Sequence, residues 1–235
     1  MNTHHPSRFV RSLQKDTHPR LDRVVDAHLR RVWAAPLHAP TVQAFDALRD
    51  AIGGDPRRLV LDSGCGSGES TRLIARTLPD CLVIGVDKSP SRLSRTGATA
   101  FPHREGNAWW LRAELPTFWR LALSAGWRVR RHYLLYPNPW PKPAHMRRRW
   151  HGHPVFPDLL RLGGVLEMRC NWEIYALEFA AAVNRALGTR AAPRLLEDST
   201  ITSPFERKYR ASGHPLYSVS VRCDVGAQGA AWAVT

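Results

Sequence analysis

The sequence lacks long apolar runs. No hydrophobic stretch reaches the roughly 18 residues that a membrane-spanning helix needs. Its opening, MNTHHPSRFVRSLQK, has no signal-peptide core. Both absences lead us to expect a cytoplasmic chain with no membrane partner. Cysteine is scarce as well. Cys65, Cys81, Cys170 and Cys223 lie far apart and never at metal-site spacing, which predicts free thiols and no bound metal. His4 and His5 are too few for a tag, and the other histidines are scattered. Lysine is nearly missing, with Lys15, Lys88, Lys142 and Lys208 the whole set. Acidic residues are outnumbered, 34 Lys+Arg standing against 20 Asp+Glu for a formal charge of +14. Such a surplus suits a polyanionic partner. A GC-rich genome would also enrich arginine, but spread over the surface, so the clustering of the charges decides.

What is present reads as one α/β domain, without internal repeat or low-complexity segment. Its 235 residues are enough to bury a real core. Residues 1–40 are basic and broken by Pro6, Pro19, Pro36 and Pro40, and are expected to form an arm with one short helix near Asp22–Val32. Residues 41–235 form the domain. A helix at Thr41–Ile52 should stop at Gly53-Gly54. Strands are predicted at Arg58–Asp62, Cys81–Val86, Phe101–Glu105, Arg130–Leu135 and Gly164–Cys170, and a terminal antiparallel strand at Tyr217–Cys223. Helices should cover Ser70–Thr77, Thr117–Ala125, Pro154–Leu162 and, longest, Trp172–Leu187, with another starting at Ser89–Arg95. This alternation predicts a mostly parallel sheet with helices on both faces.

The sharpest local signal is LVLDSGCGSGES. A glycine turn leaving a buried strand lets backbone approach a ligand, because glycine carries no Cβ and tolerates positive φ. A dinucleotide fingerprint would place a third glycine three residues after Gly66, where Glu69 stands. Asp62, Gly64, Gly66 and Gly68 instead form acidic-x-G-x-G-x-G, which resembles the first motif of class I (Rossmann-like) methyltransferases. That resemblance implies S-adenosylmethionine, whose cationic tail suits a nearby carboxylate. Asp87 ends the second strand, 21 residues after Gly66, where a carboxylate can accept both ribose hydroxyls. Asn107 is expected to meet the adenine edge from the end of the third strand, or simply to cap a loop.

The segment HYLLYPNPWPKPAHMRRRWHGH puts an amide, Asn138, and an indole, Trp140, at the carboxyl end of a strand, where open α/β sheets bind ligands. Lys142, His145, Arg147, Arg148 and Arg149 follow at once, so here the charge is concentrated. Guanidinium groups would grip phosphates there, and Trp140 or Trp150 would stack on a base or pack in the core.

With these residues in hand, the chain resembles the tRNA (guanine-N7)-methyltransferase family over nearly its whole length. Asn138, Pro139, Trp140 and Lys142 fall in register with Pro-Asp-Pro-Trp-x-Lys, with His145 and Arg147–Arg149 behind. Gly163-Gly164 leads to Asn171, Trp172, Glu173, Tyr175 and Ala176, where the family has Asp-Trp-Glu-x-Tyr-Ala. Ser203, Pro204, Phe205 and Glu206, then Gly213-His214, match its closing motif, and Phe9-Val10-Arg11 its opening. The resemblance implies methyl transfer to a variable-loop guanine of tRNA. It gives Asn138 the catalytic-pocket position, and gives Asn171, Ser203, Phe205 and Glu206 places against the substrate. Three family aspartates are Asn138, Asn171 and Asn107 here, and the family's closing Thr-Lys is Ser203-Pro204. Two other readings stay open. One is an amino methyltransferase, since Asn-Pro-Trp is similar to the Asn-Pro-Pro-Tyr motif of that class. The other is a non-catalytic RNA-binding protein on the same scaffold.

Overall fold

The computed structural model describes residues 6–53, 58–197 and 203–224, so that His4, His5 and Gly54 lie outside it. Neighbouring residues of one strand feed different cores. In β1 (Leu59–Ser63), Leu59 and Leu61 join a large apolar cluster while Val60 joins a smaller one. In β2 (Leu82–Asp87), Ile84 and Val86 divide from Val83 in the same way. Successive side chains of a strand point to opposite faces, so both faces of this sheet are covered. Each buried Leu or Val contributes about 1.5–3 kcal/mol relative to exposure.

The helices α1 (Leu21–Leu29), α2 (Ala39–Ile52), α3 (Glu69–Thr77) and α4 (Pro90–Leu93) are followed by β3 (His103–Glu105) and β4 (Ala108–Arg112). Then come α5 (Leu115–Ser124), β5 (Val129–Leu135), α6 (Phe156–Arg161), β6 (Val165–Cys170) and α7 (Glu173–Leu187). The chain closes with β7 (Arg194–Leu195), α8 (Pro204–Ala211) and β8 (Tyr217–Arg222). Helices α1, α2, α5, α6 and α7 cover the large cluster, while α3, α4 and α8 cover the small one. The sheet order is β3-β4-β2-β1-β5-β6-β8-β7. Its five central strands are parallel, with antiparallel β3 at one edge and β8 and β7 at the other. This is the expected class I methyltransferase architecture, with its antiparallel terminal strand.

Some elements depart from expectation, the two-residue edge strand β7 among them. The third parallel strand is β4, and the segment read as that strand is only the short edge pair β3. Trp109 enters the large cluster and Trp110 the small one, so β4 is apolar on both faces and shows no alternation to read. Helix α8 went unread because its single buried residue is the charged Glu206. The N-terminal residues carry the short helix α1 and pack on the domain. Leu21, Val24 and Val25 of α1 belong to the large cluster, and the Gln14 side chain bonds Glu178 of α7 at 2.6 Å.

All four cysteines are buried free thiols. Among the described residues no helix is long and apolar enough to cross a membrane, and no group of His, Cys, Asp and Glu could hold a metal ion.

Candidate functional site

Because β4, β2, β1, β5 and β6 run parallel, their carboxyl ends share one edge of the sheet. The chain reverses its winding between β1 and β5, the crevice where open α/β sheets take ligands. Beyond β1 the turn needs glycine. Gly64, Gly66 and Gly68 have φ of +81°, +58° and +74°. A Cβ on Gly68 would fall 2.2 Å from Nε1 of Trp110, whereas one on Gly64 would meet nothing within 4 Å. Gly68 is therefore glycine for packing, and Gly64 leaves bare backbone open to a ligand.

Two buried carboxylates flank the turn. Asp62 accepts from Ser70 Oγ at 2.6 Å and Thr71 Oγ1 at 2.7 Å, both through Oδ2, and its buried Oδ1 has no partner. Burial pushes its carboxyl up to about 6, against the two hydroxyl bonds and with the Asp87 charge adding to the rise. Asp87 ends β2 and accepts from the Gly66 N–H at 3.0 Å and the Ser89 N–H at 2.8 Å. Arg92 lies 3.5 Å from its Oδ2. Bare glycine backbone, an orphaned carboxylate oxygen and a carboxylate at the β2 end together fit a ligand with a ribose and a cationic tail. Beside them a cleft of about 730 Å³ is lined by Lys88, Phe101, Arg112, Ala113 and Glu114. A second cleft, of about 800 Å³, lies off this edge around Trp33, Arg128 and Gly163 and holds none of the expected site residues.

Asn107 does not belong to this site. It precedes β4, at the amino end of the strand, and its Nδ2 donates to the carbonyls of Ala75, Leu78 and Cys81 at 2.8–3.1 Å. It caps the end of α3, a consequence of the misplaced third strand. The residues that do leave β4 at the ligand edge are Arg112, Ala113 and Glu114.

On the substrate side, the loop after β5 holds Tyr136 and Trp140, both with positive φ (+55° and +45°), an uncommon backbone for bulky residues that something must hold in place. Asn138 is exposed between them, and its Oδ1 receives the Trp140 N–H at 3.4 Å. Arg149 does much of the holding, its Nε and Nη2 donating to the Trp140 carbonyl at 3.3 and 3.1 Å. Its guanidinium is fully buried and ion-paired with Glu178, which also meets His151 at 2.8 Å. Arg149 therefore cannot grip a phosphate, contrary to the reading of the arginine run as one surface. Lys142, Arg147 and Arg148 are exposed, and Arg148 lies 4.8 Å over the Trp140 ring. His145 is half-buried beside that ring; burial and the Arg148 and Lys142 charges hold its imidazole below the usual value. Trp150 is half-buried and packs against the large cluster, edge-on to Trp119 at 4.8 Å.

Asn171 follows β6, and its Nδ2 lies 3.0 Å from Nδ1 of His214. Ser203 caps α8, its Oγ accepting from the Glu206 N–H at 3.1 Å. Phe205 is 41% exposed, whereas Glu206 is fully buried against Arg169 at 3.1 Å and Arg210 at 3.5 Å. Of the expected substrate residues, Lys142, Arg147, Arg148 and Phe205 face solvent, and Arg149 and Glu206 are internal. Sequence reading missed Glu178, although it sits one turn from Tyr175 on the buried stripe of α7, where a lone acid calls for a buried cation.

Comparison with known proteins follows the same lines. The family described as "Putative methyltransferase" matches residues 56–219. A tRNA (guanine-N(7)-)-methyltransferase of Leifsonia xyli is 29% identical over 187 residues, 74% of this chain and 79% of that protein. The enzyme of the same name from Pseudomonas paraeruginosa is 30% identical over 181 residues, 72% of each chain. Among solved structures, the 16S rRNA methyltransferase KamB superposes with a TM-score of 0.54 at 18% identity, covering 75% of this chain and 93% of that one. A 16S rRNA (adenine(1408)-N(1))-methyltransferase of Catenulisporales acidiphilia, solved with its cosubstrate SAM, gives 0.51 at 19% identity, covering 84% and 96%. At those identities the likeness is one of fold.

Proposed function

Because this chain belongs to the tRNA (guanine-N7)-methyltransferase family, we propose that it methylates N7 of a guanine in tRNA, with S-adenosylmethionine as methyl donor. The observation that carries this reading is the meeting of the glycine turn, Asp87, Asn138 and Asn171 on one sheet edge beside exposed Lys142, Arg147 and Arg148. When bound, S-adenosylmethionine supplies an electrophilic methyl group on a sulfonium. Asp87 accepts the ribose hydroxyls, and the Gly64–Gly68 backbone holds the cationic tail, with the buried Asp62 carboxylate behind it. Residues at the β4 end, Ala113 and Glu114, take the adenine side in place of Asn107.

Guanine N7 carries a lone pair and no proton, so the residues need only hold the base in line and no general base is required. Asn138 and Asn171 orient it. Phe205 and Trp140 offer apolar surface, and the exposed cations hold phosphates. We infer a cytoplasmic protein, the compartment in which it would meet tRNA.

Two tests follow. Asp87→Ala should weaken S-adenosylmethionine binding by about 1.5–3 kcal/mol, the scale for truncating a hydrogen-bonded charge. NAD should not bind. Calorimetry that found NAD binding, or unchanged cofactor affinity in the variant, would remove the basis of the cofactor site. Replacing Arg147 and Arg148 together by alanine should reduce the log–log salt slope of tRNA binding by roughly 1.5 units, at just under one unit per phosphate contact. Cofactor affinity should stay put. A slope equal to that of the unaltered protein would make the pair a solvated face.

A further inference from the structure

An asparagine in place of a carboxylate must be told which way to point. Its two terminal atoms have opposite hydrogen-bonding character, whereas a carboxylate accepts from either oxygen. We propose that His214 is the positioning residue that fixes the Asn171 amide with Oδ1 toward the methyl acceptor, and that Ser7 sets the His214 tautomer. The proposal rests on the functional reading above.

The chain of bonds is directional. The Ser7 N–H donates to Ser212 Oγ at 2.8 Å, which pins the residue. The Ser7 carbonyl lies 2.9 Å from Nε2 of His214, and a carbonyl can only accept, so Nε2 carries the proton. In the neutral ring Nδ1 is then the acceptor, and the Asn171 atom facing it at 3.0 Å is the donor Nδ2. A flipped amide would set Oδ1 against the Nδ1 lone pair. Oδ1 is left free to accept from a base N–H, such as guanine N1–H or N2–H.

The ring itself is held. Phe9 stacks on it with centroids 4.1 Å apart and planes 4° from parallel, and Tyr209 lies 5.2 Å away. His214 is 6% exposed. A carboxylate at position 171 would instead demand an Nδ1–H, and so a ring protonated on both nitrogens beside the Ser7 carbonyl. The N-terminal segment thereby becomes part of the acceptor site.

The first test needs no substrate. Long-range proton–nitrogen correlation spectra of the full chain at neutral pH should show His214 as the neutral Nε2–H tautomer. A charged ring or an Nδ1–H tautomer overturns the proposal. The second test is kinetic. His214→Phe keeps the stacking but cannot accept a hydrogen bond. It should lower kcat on tRNA about tenfold, the scale of one lost directional bond, with S-adenosylmethionine affinity unchanged. His214→Asn, whose side-chain oxygen can take the Asn171 N–H, should recover most of the loss. In an Asn171→Ala background His214→Phe should cost nothing more. Equal losses in both backgrounds would mean a merely structural ring and overturn the proposal. Nucleoside analysis of the unaltered enzyme's product keeps the two readings apart. Methyl at an atom other than guanine N7 defeats the functional reading, while the tautomer and the coupling still report on the lock.

Discussion

Glu178→Ala should lower the free energy of unfolding by about 3–5 kcal/mol, because it leaves a buried guanidinium without its counterion. Glu178 is completely buried and accepts from Arg149, His151, the Gln14 amide at 2.6 Å and the His18 N–H at 2.9 Å. Burial alone would push its carboxyl up. The hydrogen bonds and charges of His151 and Arg149 outweigh that and hold it at about 2. A carboxyl depressed on folding stabilises the protein fully above its unfolded value near 4.5, and that contribution fades as pH falls from there toward 2. Urea titrations at neutral pH and near pH 3 should therefore show a smaller gap between variant and parent at the lower pH. A neutral-pH loss under about 1 kcal/mol would mean that Arg149 finds another partner or water. Loop geometry is at stake too, since Arg149 holds the Trp140 carbonyl only while Glu178 holds Arg149.

The second large effect concerns Asn138. If the acceptor is guanine N7, Asn138→Asp should keep or raise turnover. The methylated base is cationic, and a carboxylate beside it favours its formation. The variant also keeps an oxygen for the Trp140 N–H. Compensation from Glu206 is not available in the parent, because that carboxylate is buried and matched by Arg169 and Arg210. If the acceptor were an exocyclic amine, the same change should cost roughly 10²-fold, as loss of a positioned polar group does. Single-turnover methylation of tRNA, with the modified nucleoside identified, decides between these outcomes. Alanine at Asn138 or Asn171 should reduce turnover more than cofactor affinity; turnover indifferent to both would move the chemistry elsewhere.

Much of this was legible in the sequence where one element carries its own signal. LVLDSGCGSG announces a buried strand and an open turn, and Asp87 follows at the end of the next apolar run. Legibility failed where the meaning of a residue depends on a distant partner. Three consecutive arginines look alike in sequence, yet Arg149 turns inward because Glu178 waits on the buried stripe of α7, 29 residues on. Asn107 lies off the site because the third parallel strand is β4, which shows no alternation to read, and Asn107 precedes it. His214 was visible only as part of a motif, and its bond to Asn171 joins residues 43 apart.

The docking of the N-terminal segment has a consequence for synthesis. Ser7 bonds Ser212 and His214, 205 and 207 positions away in sequence. At about 5–20 residues per second, those partners leave the ribosome on the order of 10–40 s after Ser7. Ser7 can thus be seated only once Ser212 and His214 have emerged, and the acceptor site is completed no earlier than that. Truncated or stalled products ending before α8 would carry the glycine turn and Asp87 without this closure.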